Sequence, residues 1–285
     1  MSAPDFVAIG HVTLDRFGGV VRPGGAALYA AVTADRLGAS AGILTSHGGD
    51  FPLELVPRGI EVVAVPSPDT TTFTHARDAA GGRVLSCQRQ AAPLGPDAVP
   101  EDWRDAPIVL LAPVLNELDP ATVASFADAT IGAAAQGWLR GRKADGSVTP
   151  TRWDSAPLVL ARARALFLSG EDVRAAATDV DRWLQQVPIG VVTAGRLGAL
   201  LYVNGERYEV PPLAAREVDP TGAGDVFAAA FMLQYELEGN PWEAAAAAAC
   251  AAALSVEREG FSAIPDTSRL ASALADYRQA QGQTL

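Results

Sequence analysis

Cysteine is nearly missing from this chain: Cys87 and Cys250 are the only two in 285 residues, and their spacing fits no metal-ligand pattern. That excludes a disulfide-stapled scaffold and points to a reducing cytoplasm. Cys250, inside an alanine-rich run, reads as a small core residue. Basic residues are outnumbered, 22 against 33 acidic ones, for a formal net charge of -11. A nucleic-acid surface needs a basic footprint, so that class is excluded; a nucleotide needs only one locally positive pocket. No apolar stretch reaches membrane-spanning length without charge or glycine, and the alanine run 244–253 is too short and weakly apolar to do so. The N-terminus enters a strand directly, without the basic segment and apolar core of a secretory leader. Histidines 11, 47 and 75 have no serine or cysteine nucleophile arranged around them, so each reads as a hydrogen-bonded loop residue. The Gly-x-x-x-x-Gly-Lys-Ser/Thr string of P-loop enzymes does not occur, and Gly222-Ala223-Gly224 lacks the third glycine of the dinucleotide fingerprint.

What the chain does have is apolar material, 49% of residues against 19% charged, enough for a sizeable core. Strand-like runs such as Phe6-Val7-Ala8-Ile9, Ile108-Val109-Leu110-Leu111 and Ala165-Leu166-Phe167-Leu168 alternate with helical segments, and no internal repeat or linker divides them. The expected fold is one α/β domain over residues 1–285, a mainly parallel doubly wound sheet flanked by helices.

The most informative stretch is Asp219-Pro220-Thr221-Gly222-Ala223-Gly224-Asp225-Val226-Phe227. Val226, Phe227, Ala230, Phe231, Leu233 and Leu237 continue an apolar pattern over about four turns, so a buried helix starts here. A helix N-terminus offers unpartnered N–H groups and a positive dipole end, and small residues at 222–224 let an anion approach them. Asp225 in the first turn can take a proton from a hydroxyl poised to attack phosphorus. The chemistry implied is phosphoryl transfer.

This string resembles the C-terminal signature of the ribokinase-like (PfkB-type) sugar kinase family, Asp-x-Thr-Gly-Ala-Gly-Asp. The resemblance implies that Asp225 is the catalytic base and that Gly222, Ala223 and Gly224 form an anion hole. Upstream, Asp15 and Gly24-Gly25 are similar to the family's substrate-binding Asp and its Gly-Gly-x-x-x-Asn element, with Asp15 holding sugar hydroxyls. Tyr29 stands where the family has Asn. It is either a substrate contact, as in the family's plant-type inositol kinases, or core packing. Gly48-Gly49-Asp50 resembles a Gly-Asp-Asp element with its first Asp changed.

Later elements extend the likeness. Thr193-Ala194-Gly195-Arg196-Leu197-Gly198 looks like Thr-x-Gly-x-x-Gly, whose Thr and Gly border nucleotide phosphates, giving Thr193, Gly195 and Gly198 that role. Gln136 and Arg140 stand near an Asp-x-Asn and an Arg that face the reacting phosphate. Ser169 and Asp172 stand near an Asn-x-x-Glu that organises Mg²⁺, with Asp172 toward the metal; equally, they read as an N-cap with a first-turn acid. The resemblance thus implies ATP and Mg²⁺, with K⁺ near Asp219 and Thr221 in some relatives. It implies a small polyol acceptor, a sugar or an inositol-like cyclitol; the alternatives are a nucleoside kinase of the same fold or a catalytically silent sugar-binding protein. Lid segments are expected at about 12–23 and 66–92, with strands around an Ala79-Ala80-Gly81-Gly82 turn. The first segment is short, so the expected lid is small, a lid-paired dimer is disfavoured, and the chain is a monomer or homodimer. A helix is expected from Asp119, a surface loop over 140–151, a hairpin about Asn204-Gly205, and helices from Asn240 and from about Asp266.

Overall fold

Alternate residues of Phe6–Ile9 belong to different layers: Phe6 and Ala8 pack on one side of the sheet, Val7 and Ile9 on the other. A strand covered on both faces requires this, because successive side chains point opposite ways. The computed structural model describes residues 2–77 and 83–282. In chain order its strands and α-helices are β1 (Phe6–Ile9), β2 (Thr13–Phe17), β3 (Val20–Gly24), α1 (Ala26–Arg36), β4 (Ala41–His47), β5 (Ile60–Pro66), β6 (Thr71–Arg77) and β7 (Arg83–Arg89). There follow β8 (Ile108–Leu111), β9 (Thr130–Ala134), β10 (Arg140–Arg142), β11 (Val148–Pro150), α2 (Ala156–Leu160), β12 (Ala165–Ser169), α3 (Gly170–Ala175) and α4 (Val180–Gln186). The chain closes with β13 (Ile189–Thr193), β14 (Ala199–Val203), β15 (Glu206–Val210), α5 (Ala223–Glu238), α6 (Pro241–Ser255) and α7 (Thr267–Gly282).

The main sheet runs β15-β14-β13-β12-β9-β8-β1-β4-β5, with every pair from β13 to β5 parallel. The antiparallel hairpin β14–β15 extends one edge, its turn made by Asn204 and Gly205 at positive φ, as an Asn-Gly pair favours. Helices α1, α5 and α6 build one core with the even side of β1. Trp103, Trp138, Trp153 and Trp183 belong to the core on the opposite face. The loops that leave the C-terminal ends of β1, β9, β12 and β13 gather on one edge, where open α/β sheets bind ligands.

A second sheet, β3-β2-β6-β7, is built from the two segments expected to form a lid. The short segment after Asp15 suffices for a complete hairpin because Gly18-Gly19 turns the chain within two residues, pairing Phe17 with Val20. The 79–82 turn expected between β6 and β7 lies outside the described residues.

Three expectations differ from the structure. The segment after Asp119 is a short 3-10 turn, Pro120–Ser125, capped by Asp119 Oδ1 on the Ala121 N–H, and it never becomes an α-helix. Residues 140–151 contain the β10–β11 hairpin, and Arg142 holds it to the lid by donating to the Cys87 and Gln88 carbonyls. Leu237 is 78% exposed, because the last turn of α5 outruns the core that buries Val226 to Met232.

Candidate active site

The helix α5 begins at Gly222, whose φ of 77° is left-handed and therefore glycine's territory. A Cβ at this position would also fall within the Tyr29 ring, against its Cγ, Cδ1 and Cε1. Tyr29 lies on α1, is 4% exposed, and packs its ring 4.6 Å from that of Phe261. It therefore packs beneath the turn, as the core reading expects, and it also lines the cleft. Around the turn, Asp225 N–H and Val226 N–H donate to Gly222 O, and Ala223 N–H donates to Pro220 O at 3.3 Å. Among the described residues, the N–H groups of Gly222 and Gly224 meet no protein acceptor. Of the triplet expected to form an anion hole, the 222 and 224 N–H groups are thus left open, while that of Ala223 between them is taken by Pro220 O.

These groups face a cleft of about 1200 Å³ that runs from beneath the lid to the loops after β12 and β13. Of the residues anticipated from sequence, Asp15, Gly25, Tyr29, Gln136, Ser169, Asp172, Thr193, Gly195, Gly198 and residues 222–225 all line it. Gly24 does not. It lies behind Asp15, and a side chain there would displace the Asp15 carboxylate.

Asp225 is partly buried on the cleft wall, and loss of solvent pushes its carboxyl up to about 7. The Arg140 guanidinium opposes that rise, while the carboxylates of Asp172 and Asp15 add to it. The balance leaves a carboxyl that changes charge near neutrality. Burial also raises the Tyr29 phenol, with Asp219, Asp15 and Asp225 adding to the effect, so its hydroxyl stays a neutral donor and acceptor.

At the lid end, Asp15 accepts from Thr13 Oγ1 at 3.3 Å through Oδ2, while His75 Nε2 lies 3.4 Å from Oδ1. The His75 ring stacks on Phe17, centroids 4.4 Å apart, which fixes its plane. Sequence reading placed His75 in a loop. It sits on β6, two residues beyond Phe73, so the same period of two puts both against the cleft. His11 and His47 are hydrogen-bonded as expected: His11 bridges the Ala92 carbonyl and Thr71 Oγ1, and His47 Nδ1 meets Gly48 O. Sequence reading also missed Glu117, whose buried carboxylate accepts the His11, Val114 and Leu115 N–H groups and ties the loop after β8 to β1. No pattern pointed to it.

At the other end, Ser169 and Asp172 form a reciprocal capping box at the start of α3. Asp172 Oδ2 accepts from both the Ser169 N–H and Oγ, at 2.7 Å each, so its first role is as a cap. Thr193 Oγ1 donates to Leu168 O, and the turn after β13 is closed by Ala194 N–H on Gly198 O. Among the described residues no cluster of three His, Cys, Asp or Glu side chains could cage a metal. The acids here fit Mg²⁺ only as outer partners of an ion carried in by phosphates, the way Mg²⁺ is usually held in such sites. Beyond these loops the wall becomes apolar, made by Leu213, Ala249, Ala252 and Val256.

Known proteins match this architecture. Residues 154–267 match the family model described as pfkB family carbohydrate kinase. A cytidine kinase from Thermococcus kodakarensis is 28% identical over 271 residues, covering 84% of this chain and 91% of that protein. An inositol 3-kinase from Zea mays is 31% identical over 165 residues, 57% of this chain and 42% of that enzyme, so the matched part is less than half of the maize protein. Among solved structures, a pyrophosphate-dependent kinase of the ribokinase family complexed with a pyrophosphate analog and myo-inositol superposes with TM-score 0.78 at 19% identity. It covers 94% of this chain and 99% of its own. Arabidopsis thaliana ribokinase complexed with ribose and ATP gives TM-score 0.73 at 19% identity, covering 95% and 99%. With the signature folded as a helix start lining the cleft of a ribokinase-like frame, the chain is similar to the pfkB family carbohydrate kinases over residues 154–267, and the matches support a phosphotransferase acting on an alcohol group.

Proposed function

We propose that this enzyme transfers the γ-phosphate of ATP to a hydroxyl of a small polyol held by Asp15. The observation that carries the reading is the placement of Asp225, close to neutrality, on the wall that joins Asp15 to the Gly222 and Gly224 N–H groups. Asp225 in its ionised form takes the acceptor's proton. The acceptor oxygen forms its bond to the γ-phosphorus as the bond to the β-phosphate oxygen breaks, and ADP departs with that electron pair. The two N–H groups and the α5 dipole stabilise charge on the transferring group, and Mg²⁺ arriving with the nucleotide supplies further neutralisation. Asp15, anchored by Thr13 and His75, holds the acceptor against the lid.

The apolar wall of Leu213, Ala249, Ala252 and Val256 supports a nucleotide as donor, because it offers a nucleobase a slot that pyrophosphate would not need. A monovalent cation near Asp219 and Thr221 would have to share an Asp219 carboxylate that already accepts from the Thr221 and Gly260 N–H groups and faces Arg22. The apolar underside of the lid, Phe73 and Leu85, together with Val148 of the β10–β11 hairpin, favours a second reading in which the polyol is the ribose of a nucleoside. The cytidine kinase relative agrees with that reading and the inositol kinase with the first. Both cysteines are free and buried, which supports the cytoplasm as its compartment; no helix among the described residues is long and apolar enough to cross a membrane.

The test is a coupled assay of ADP release over sugars, cyclitols and nucleosides, with an inorganic pyrophosphate arm read by phosphate release. Acceptor-dependent ADP release with one class supports the reading and names the acceptor. Turnover with pyrophosphate alone would replace the donor. Acceptor binding with no turnover from either donor would leave a sugar-binding protein on a kinase fold.

A further inference from the structure

We propose that Arg22 is a positioning residue that fastens the acceptor-holding lid to the phosphate-binding turn, acting through the carboxylate of Asp219. The inference rests on the reading of the α5 start as the phosphate end of the cleft. Arg22 stands on β3 directly opposite Asp15 in the β2–β3 register, so it shares the rigid hairpin that carries the acceptor contact. Its guanidinium leaves the lid and reaches the core: Nη1 lies 3.5 Å from Asp219 Oδ2, and Nη2 lies 2.9 Å from Glu259 Oε2.

The Asp219 carboxylate is itself the brace of the turn. Oδ1 accepts from the Thr221 N–H at 3.0 Å and Oδ2 from the Gly260 N–H at 3.3 Å. Together these bonds set the path of the chain into Gly222 and secure the loop that carries Phe261 onto Tyr29. Arg22 supplies the cation that holds this carboxylate, and its other contacts lead back to the acceptor. The guanidinium carbon lies 5.7 Å from the Phe17 ring centroid, Phe17 stacks on His75, and His75 reaches Asp15. One guanidinium therefore registers both half-sites against each other. Without it, Asp219 and Glu259 lose the cation that they share.

Three variants test this: Arg22→Met, Asp219→Asn and the double variant, read by the ATP dissociation constant from calorimetry and by kcat and KM on whichever acceptor the wild-type enzyme turns over. Arg22→Met is expected to weaken ATP five- to twentyfold and lower kcat by a similar factor. The double variant is expected to be no worse than the poorer single one, since both remove one contact. Arg22→Gln, which keeps hydrogen-bonding capacity, replaces Arg22→Met if the latter unfolds early, and Glu259→Gln should change each quantity less than threefold. ATP affinity and kcat both within twofold of wild type, or losses that multiply in the double variant, would overturn the proposal. If wild type binds ATP but phosphorylates no acceptor, the acceptor reading fails on its own and the ATP constants still decide the role of Arg22.

Discussion

Gly222→Ala and Gly224→Ala differ by two positions on the same turn, yet the structure assigns them opposite costs. At 222 the backbone is left-handed, which an alanine tolerates at a cost of about 1–2 kcal/mol. The new methyl would also occupy the space of the Tyr29 ring, which is buried and backed by Phe261, adding about 1–3 kcal/mol of overpacking. The sum, about 2–5 kcal/mol, is to be measured by urea unfolding with the slope held equal to wild type. At 224 a Cβ meets nothing, the position lies inside the first turn of α5, and alanine's better helix propensity makes the change neutral or stabilising by up to about 1 kcal/mol. That methyl would instead take up open space at a position that lines the cleft, so Gly224→Ala should raise the ATP dissociation constant while leaving the fold alone. Adding Tyr29→Ala to Gly222→Ala should relieve the packing share of the loss but none of the backbone share. Equal unfolding midpoints for the two single variants would refute the account of this turn.

Four further outcomes follow from the site. For Asp225, kcat/KM should rise with pH along a unit slope and level off above about 7; Arg140→Met should shift that limb to higher pH and Asp172→Asn to lower pH. Because the folded-state pKa of Asp225 lies above the unfolded value, its contribution to stability is full below about pH 4 and is lost as pH rises through about 7. Asp225→Asn should therefore equal wild type in stability at acid pH and exceed it by up to about 4 kcal/mol at pH 8, measured by urea unfolding at each pH. Glu117→Gln replaces one acceptor oxygen with a donor facing backbone N–H groups and should cost about 3 kcal/mol, seen as a lowered thermal midpoint with ATP affinity retained. His75→Phe keeps the stack on Phe17 but loses the contact to Asp15, so the acceptor KM should rise about fivefold, equivalent to about 1 kcal/mol, with kcat little changed.

How much of this was legible in the sequence depended on whether a residue's role is local. Gly222, Asp225 and the apolar run after them announce a helix start because capping and periodicity act within a few residues, and α5 begins where that pattern says. The N-cap of α6 was readable for the same reason, with Asn240 Oδ1 accepting from Trp242 and Glu243 N–H. Ser169 and Asp172 were readable as a cap, while any duty toward a metal depends on groups far away in sequence. What stayed hidden came from long-range register. Arg22 acquires a partner at 219 only through a lid hairpin that no turn signal stronger than Gly18-Gly19 marks. Glu117 works because Asn116 takes a positive φ and the loop folds back on β1. Tyr29 reads from sequence as either a substrate contact or core packing; what stayed hidden was its packing beneath Gly222, a contact between residues nearly two hundred positions apart in the chain.

The central claim is that a carboxylate near neutrality at 225 activates an acceptor hydroxyl beside a two-donor anion site. Product formation by wild type and Asp225→Asn, each saturated with ATP and with an acceptor from the panel, tests it most directly. The account predicts that the asparagine variant binds ATP within about threefold of wild type and loses at least about a hundredfold in kcat. Phosphorylated acceptor forming at comparable rates in both would contradict it.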